Sequence, residues 1–215
     1  MADKAAADLA ADVAAHAGLM AELRRRQQEG NAAAQPHSNS HADNKNNQKR
    51  ELTANDAAAI NAVGPGGLSP LAVACMHGNT EDVGLLLTFG ADPAAESDLW
   101  DLPNDFGGEI KKWKSFPLYI VARQKDNEQC AMVVELLLLS DDVGVNQGTS
   151  DSGATALYIA CQVGNLQAVK MLLECDGLEV NKARTDDGAT PLVIACGQGH
   201  SGVVKMLLAH DGIEV

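Results

Sequence analysis

Residues 153–181, GATALYIACQVGNLQAVKMLLECDGLEVN, and residues 188–215, GATPLVIACGQGHSGVVKMLLAHDGIEV, are near-copies offset by 35 positions. A third copy, GLSPLAVACMHGNTEDVGLLLTFGADP, spans 67–93. A fourth opens with FPLYIVARQKD at Phe116 and closes with MVVELLLLSDDVGVN at Asn146. The matching leucines, Leu71, Leu118, Leu157 and Leu192, are 47, 39 and 35 residues apart, so the early copies carry inserts. A period of this length marks an array of small units, none of which buries its apolar face alone.

Each copy reads as two short antiparallel helices. Ser69-Pro70 and Thr190-Pro191 place a hydroxyl cap directly before a proline at the first helical position, where both residue types are favoured. Thr155-Ala156 keeps the cap alone, and Phe116-Pro117 keeps the proline alone. Gly78, Gly164 and Gly199 end the first helices, and the second ones carry pairs such as Leu86-Leu87, Leu172-Leu173 and Leu207-Leu208. Helices of two turns are marginal in water, so stacking on neighbouring copies must stabilise them.

The pattern G-x-T-P-L-x-x-A-C-x-x-G-H-x-x-V-V-K-x-L-L, with the endings FGADP and EVN, resembles the ankyrin repeat over residues 67–215. The resemblance implies an all-α solenoid of stacked helix-turn-helix units with hairpin-like loops projecting from one side. It also implies that partners are held by the loop tips and by the inner face of the first helices. On this sequence those positions are the tips Asp151, Ser152, Ala154, Asp186, Asp187 and Ala189. The first-helix ends add Met76, His77, Arg123, Gln124, Gln162, Val163 and Gln198.

Departures from the pattern localise what is particular to this chain. Where the family has a histidine after the leucine, this chain has Ala72, Tyr119, Tyr158 and Val193. The second copy has four extra residues between its helices and lacks the middle glycine. An insert at about 94–115 precedes it and contains Trp100 and Trp113 together with Lys111, Lys112 and Lys114. The two tryptophans either patch an irregular stack or anchor a partner, since tryptophan dominates interface hot spots. Cys75, Cys161 and Cys196 share one repeat position and are expected to pack as small apolar residues.

Ahead of the stack the chain changes character. Leu9, Val13, His16, Met20 and Leu23 form one helical stripe within residues 1–29, which predicts an amphipathic helix. It is too short for a coiled coil, and Asp3, Asp8 and Asp12 ill suit a transit peptide. Residues 30–50 hold no large apolar side chain and read as a disordered polar linker. Residues 51–66 predict a short helix, from about Thr53 to Ala62, leading into the stack. The last copy ends one residue before the asparagine that follows Val180 in its predecessor, so it reads as truncated.

Charge and chemistry narrow the function. Residues 1–66 hold 8 acids and 7 bases, whereas 67–215 hold 21 acids and 9 bases. Such an acidic stack opposes nucleic-acid binding and suits a protein partner of basic or mixed charge. Five cysteines without a CxxC pair neither close a disulfide framework nor form a metal site, and His37 and His41 lack the further ligands a metal needs. No phosphate loop, HExxH or GxSxG is present, and no apolar run would span a membrane. The expectation is a non-catalytic, monomeric interaction module without cofactor, in an intracellular, cytoplasmic setting with the nucleus open. The alternative is the targeting or substrate-recruiting portion of a larger enzyme or ubiquitin-ligase adaptor.

Overall fold

A computed structural model describes residues 2–33, 54–101, 111–124, 126–140 and 142–214. Helices α1 (Ala2–Ala33) and α2 (Ala54–Ile60) precede four helix pairs. These are α3 (Pro70–Met76) with α4 (Thr80–Thr88), α5 (Pro117–Ala122) with α6 (Glu128–Leu138), α7 (Ala156–Val163) with α8 (Leu166–Leu173), and α9 (Pro191–Gly197) with α10 (Ser201–Leu208). The first helices of the pairs stack in one layer, α3 on α5 on α7 on α9, and the second ones in another. The fold is an all-α solenoid carrying one small hairpin, β1 (Ser97–Asp101) and β2 (Lys111–Ser115).

Caps stop each helix where the repeat requires. Ser69, Thr155 and Thr190 accept from the amides of Ala72, Tyr158 and Val193, while Phe116 provides no side-chain cap. Asn79, Asn127 and Asn165 cap α4, α6 and α8 in the same way. Gly164 closes α7 at φ 76°, and its α-carbon faces the His200 ring, where a Cβ would come within 2.6 Å. In the second pair, the four extra residues go into a longer turn and an α6 of 11 residues, against 8 in α8.

Two sets of polar ties join neighbouring units. On one side, the carbonyls ending α3, α5 and α7 accept from the next unit. Gln124 Nε2 reaches Cys75 O at 2.8 Å and Met76 O at 2.9 Å, and Asn165 Nδ2 reaches Gln124 O at 3.1 Å. His200 Nε2 reaches Gln162 O at 3.0 Å, and a carbonyl can only accept, so the ring carries its proton there. On the other side, one asparagine side chain satisfies both a carbonyl and an amide of the following unit. Asn61 does so with Gly90 O and Asp92 N, Asn146 with Gly177 O and Glu179 N, and Asn181 with Gly212 O and Glu214 N. Asn61 follows α2, so the segment ahead of the first pair supplies the tie that a preceding repeat would.

Helix α1 packs on α3 and α4. It runs past Glu29 to Ala33, because Ala32 and Ala33 propagate a helix and the first proline, Pro36, comes only later. The rest of the linker expected over 30–50 lies outside the described residues. Met20 and Leu23 on its inner face are 1% exposed, each stabilising the docked helix by roughly 1.5–3 kcal/mol. The stripe also contains an acid. Asp12 is buried and accepts from Gly66 N at 2.9 Å and Leu68 N at 3.0 Å. A Cβ on Gly66 would meet Asp12 Oδ2 at 2.5 Å, so only glycine leaves room for the carboxylate. Next along the helix, His16 Nε2 bonds Asp82 Oδ2 at 3.1 Å, and Arg24 pairs with the other oxygen of Asp82.

One expectation fails at the far end. Cys75 and Cys161 are fully buried, but Cys196 is exposed. Its neighbour Val193 is 59% exposed where the equivalent Tyr158 is 3% exposed. Repeat equivalence predicts burial only where another unit covers the position, and no described unit covers α9 and α10 on that side.

Candidate partner-binding cleft

The hairpin is an overgrown member of the row of loops between units. Among the described residues of that row, the loop after the second pair closes with Thr149 N to Ala154 O at 3.0 Å, and the next with Arg184 N to Ala189 O at 3.0 Å. Thr185 N donates to Ser152 O at 2.9 Å, joining these two loops directly. The hairpin joins the row through Lys114 N, which donates to Asp151 Oδ2 at 3.0 Å, and through Glu96 Oε1, which accepts from Ser150 N at 2.7 Å. At its base, Asp98 N donates to Gly67 O at 2.7 Å. Lys114 Nζ pairs with Asp98 at 3.0 Å, so its charge serves the hairpin itself.

Where this row meets the first helices, a cleft of about 210 Å³ opens. Trp113 forms one wall from β2, opposite Leu99 in the strand pairing. Tyr119 and Tyr158 line the floor from the same repeat position of α5 and α7. Tyr119 leans on Phe116, their ring centroids 5.8 Å apart. Arg123, Gln162, Ser152, Ala154 and Ile159 complete it with Arg184, which reaches in from the next loop. The Arg184 guanidinium lies 5.3 Å from the centre of the Tyr158 ring, a cation–π arrangement worth about 0.5–2 kcal/mol. Its Nη1 contacts Tyr158 Oη at 3.4 Å and Asp187 Oδ2 at 3.3 Å, and its Nη2 pairs with Asp186.

The residues expected from the sequence divide into three groups, with Trp100 apart from them. Trp113, Arg123, Ser152, Ala154 and Gln162 converge on the cleft. Gln124, Met76, Asp151, Asp186, Asp187 and Ala189 have polar atoms engaged in holding the fold. Gln124 accepts from Cys130 Sγ besides its bonds to α3, one of them to the Met76 carbonyl, and the Ala189 amide donates to Asp187 Oδ1 at 3.0 Å. Burial acts to raise the Asp151 carboxyl, but the Lys114 amide and the Thr149 and Ser152 hydroxyls hold it below its usual value. His77, Val163 and Gln198 stand at helix ends outside the cleft lining, and His77 Nδ1 turns back to Val73 O at 2.8 Å. Trp100 lies on β1 opposite Lys112.

Tyr119, Tyr158, Ile159 and Arg184 were not among the expected contact residues. The two tyrosines had a sequence signal, since both replace the family's histidine at one repeat position. Arg184 had a weaker one: it is the only arginine from residue 124 onward, in an acidic stretch.

Among the described residues, no three His, Cys, Asp or Glu side chains converge as metal ligands, and no helix is long and apolar enough to cross a membrane. His37 and His41 lie outside those residues. No curated protein matches the chain. A family model described as ankyrin repeats, in three copies, matches residues 102–215, and a second, described as ankyrin repeat, matches residues 66–95. The first of these alone spans more than half of the sequence, and the chain belongs to the ankyrin-repeat family.

Proposed function

We propose that this chain is a non-catalytic protein-interaction module that holds its partner along the side where the loops and the first helices meet. The observation that carries this reading is the cleft itself. It lies where the family makes contacts, and it gathers a tryptophan, two tyrosines and two arginines in a chain with only seven aromatics. Tryptophan, tyrosine and arginine are the residues that dominate binding hot spots. The partner is of mixed rather than purely basic charge, because Asp186 and Asp187 are already drawn onto Arg184. Binding there needs no domain of its own and no chemistry from this chain.

Substitution on opposite faces tests the reading. Trp113→Ala, which removes one wall, and Gln162→Trp, which fills the cleft, should abolish partner capture while leaving the thermal midpoint within a few degrees. Glu135→Lys, on the exposed side of α6, should leave capture unchanged. Capture that survives both cleft substitutions and fails with Glu135→Lys would refute the assignment.

A further inference from the structure

The lining of the cleft has an unusual electrostatic character for this chain. Residues 67–215 carry 21 acids against 9 bases, yet the lining holds Arg123 and Arg184 and no carboxylate. Of the other polar side chains in it, Gln162, Tyr158, Tyr119 and Trp113 carry N–H or O–H donors, while the Ser152 proton goes to Asp151. Arg184 Nε is buried and has no hydrogen-bond partner among the described residues. Drawn off Asp186 and Asp187, the guanidinium can present this donor as well, and a guanidinium fork binds a carboxylate with paired, charge-assisted bonds.

Size and surroundings restrict the ligand further. A volume of about 210 Å³ holds one or two side chains, not a helix or a folded domain. A lysine or arginine brought there would lie beside two guanidiniums and find no carboxylate in the lining, since Asp186 and Asp187 are already held by Arg184. A polyphosphate chain, with several charges to place, would meet Asp151, Asp186 and Asp187 on the neighbouring loops. A single carboxylate, neutralised locally and followed by an apolar group, meets neither objection.

We infer that the cleft binds an extended peptide segment of the partner through one Asp or Glu side chain. Its carboxylate sits between Arg123 and Arg184, and the neighbouring apolar side chain packs on Trp113 and Tyr119. This rests on the protein-interaction reading and names the chemistry of the partner. Asp186 and Asp187 then have a second role: they hold the Arg184 guanidinium over Tyr158, and the incoming carboxylate competes with them.

The test is a display selection of random 12-residue peptides on the full chain, followed by synthesis of the enriched peptides. Enriched sequences should share an acidic residue beside an aromatic or aliphatic one. Replacing that Glu by Gln should weaken binding about tenfold, the loss of one hydrogen bond to a charged group. The same replacement should cost almost nothing against Arg123→Gln or Arg184→Gln, while Arg184→Lys should retain part of the preference. Circular dichroism and the thermal midpoint establish that each variant is folded. Enriched peptides with a basic residue at the shared position, or an undiminished Glu→Gln penalty in both arginine variants, would overturn the carboxylate assignment. If those peptides still depend on Trp113, the interaction reading stands without it. Peptides insensitive to every cleft substitution, or no enrichment over the bare support, would overturn both.

Discussion

Truncating Asp82 to alanine should undock α1 locally without unfolding the stack. The Asp82 carboxylate is 5% exposed and lies in the first turn of α4. It takes His16 Nε2 at 3.1 Å, Asn79 Nδ2 at 2.9 Å and the Arg24 guanidinium. The Arg24 side chain is 45% exposed, so its share is that of a surface pair, about 0–1 kcal/mol. The larger cost falls on His16. Its Nδ1 already has no partner among the described residues, and the substitution leaves Nε2 without one as well, at about 1–3 kcal/mol. With the lost charge-assisted bond, and without assuming additivity, the total is about 2–4 kcal/mol. That is roughly a 30- to several-hundred-fold rise in the opening equilibrium of α1. Native-state hydrogen exchange reads it directly: α1 amides should lose protection by that factor, and α9 and α10 should keep theirs, because each unit contacts only its neighbours. Unchanged exchange in α1 would refute the reasoning. So would an equal loss in α10, which would make the stack a single cooperative block.

Three further outcomes follow from named contacts. Burial holds the His16 pKa below its ordinary 6.5, against the opposing pull of Asp82, so the undocked helix binds more protons as pH falls. The contribution of His16 to docking is therefore full above about pH 6.5 and is lost as pH drops towards the lower folded value; exchange in α1 across that range should show the slope, and His16→Gln should flatten it. Asn61→Ala, Asn146→Ala and Asn181→Ala each remove two equivalent hydrogen bonds and should each cost about 1–2 kcal/mol in urea unfolding; a neutral Asn61→Ala would show that α2 is no substitute for a repeat. Cys196 should be the first thiol to react with a soluble disulfide reagent, whereas burial pushes the Cys161 thiol up to about 12 and keeps Cys75 equally inert; fast labelling of Cys161 would contradict the packing.

The helix pairs were legible because the chain states them four times. Ser69, Thr155 and Thr190 cap as their positions predict, and Phe116 lacks a cap as predicted. What could not be read lies in contacts between residues far apart in sequence. Asp12 looks like a solvent-facing acid on a helix, but its acceptors serve amides 54 and 56 residues away. Gly64 and Gly66 flank Pro65 after α2, where a turn alone would account for them, yet each would clash with Asp12 if it carried a Cβ. Asn61 could have been found, since Ile60-Asn61 matches Val145-Asn146 and Val180-Asn181, but α2 shares no other part of the repeat pattern. Cys196 was misjudged for a different reason. Repeat position predicts which side of a helix a residue occupies, and exposure depends also on what is stacked there.

The cleft exists because several irregularities fall at one junction. A regular loop, such as the one closed by Thr149 and Ala154, is too short to carry an indole over the inner helices; the enlarged hairpin does so with Trp113. Tyrosines in place of histidine on two adjacent units, α5 and α7, give the floor a continuous aromatic surface. The longer turn after α5 puts Arg123 at the C-cap and frees Gln124 to tie the unit to α3. Arg184 then crosses from the third loop, which is itself bonded to the second through Thr185 and Ser152. Some of these changes cost the repeat as a stacking unit: a consensus cap is lost at Phe116, and a guanidinium Nε is left buried without a partner among the described residues. Local departures from a consistent pattern, concentrated in one place and compensated by neighbours, are what a functional site looks like in an otherwise self-similar chain. A hydroxyl cap at Phe116 would add about 1 kcal/mol, but it would remove a buried ring that supports Tyr119, at about 3–5 kcal/mol. Phe116→Ser should therefore lower the thermal midpoint and weaken binding together, whereas Tyr158→His should weaken binding through the loss of its contact with Arg184.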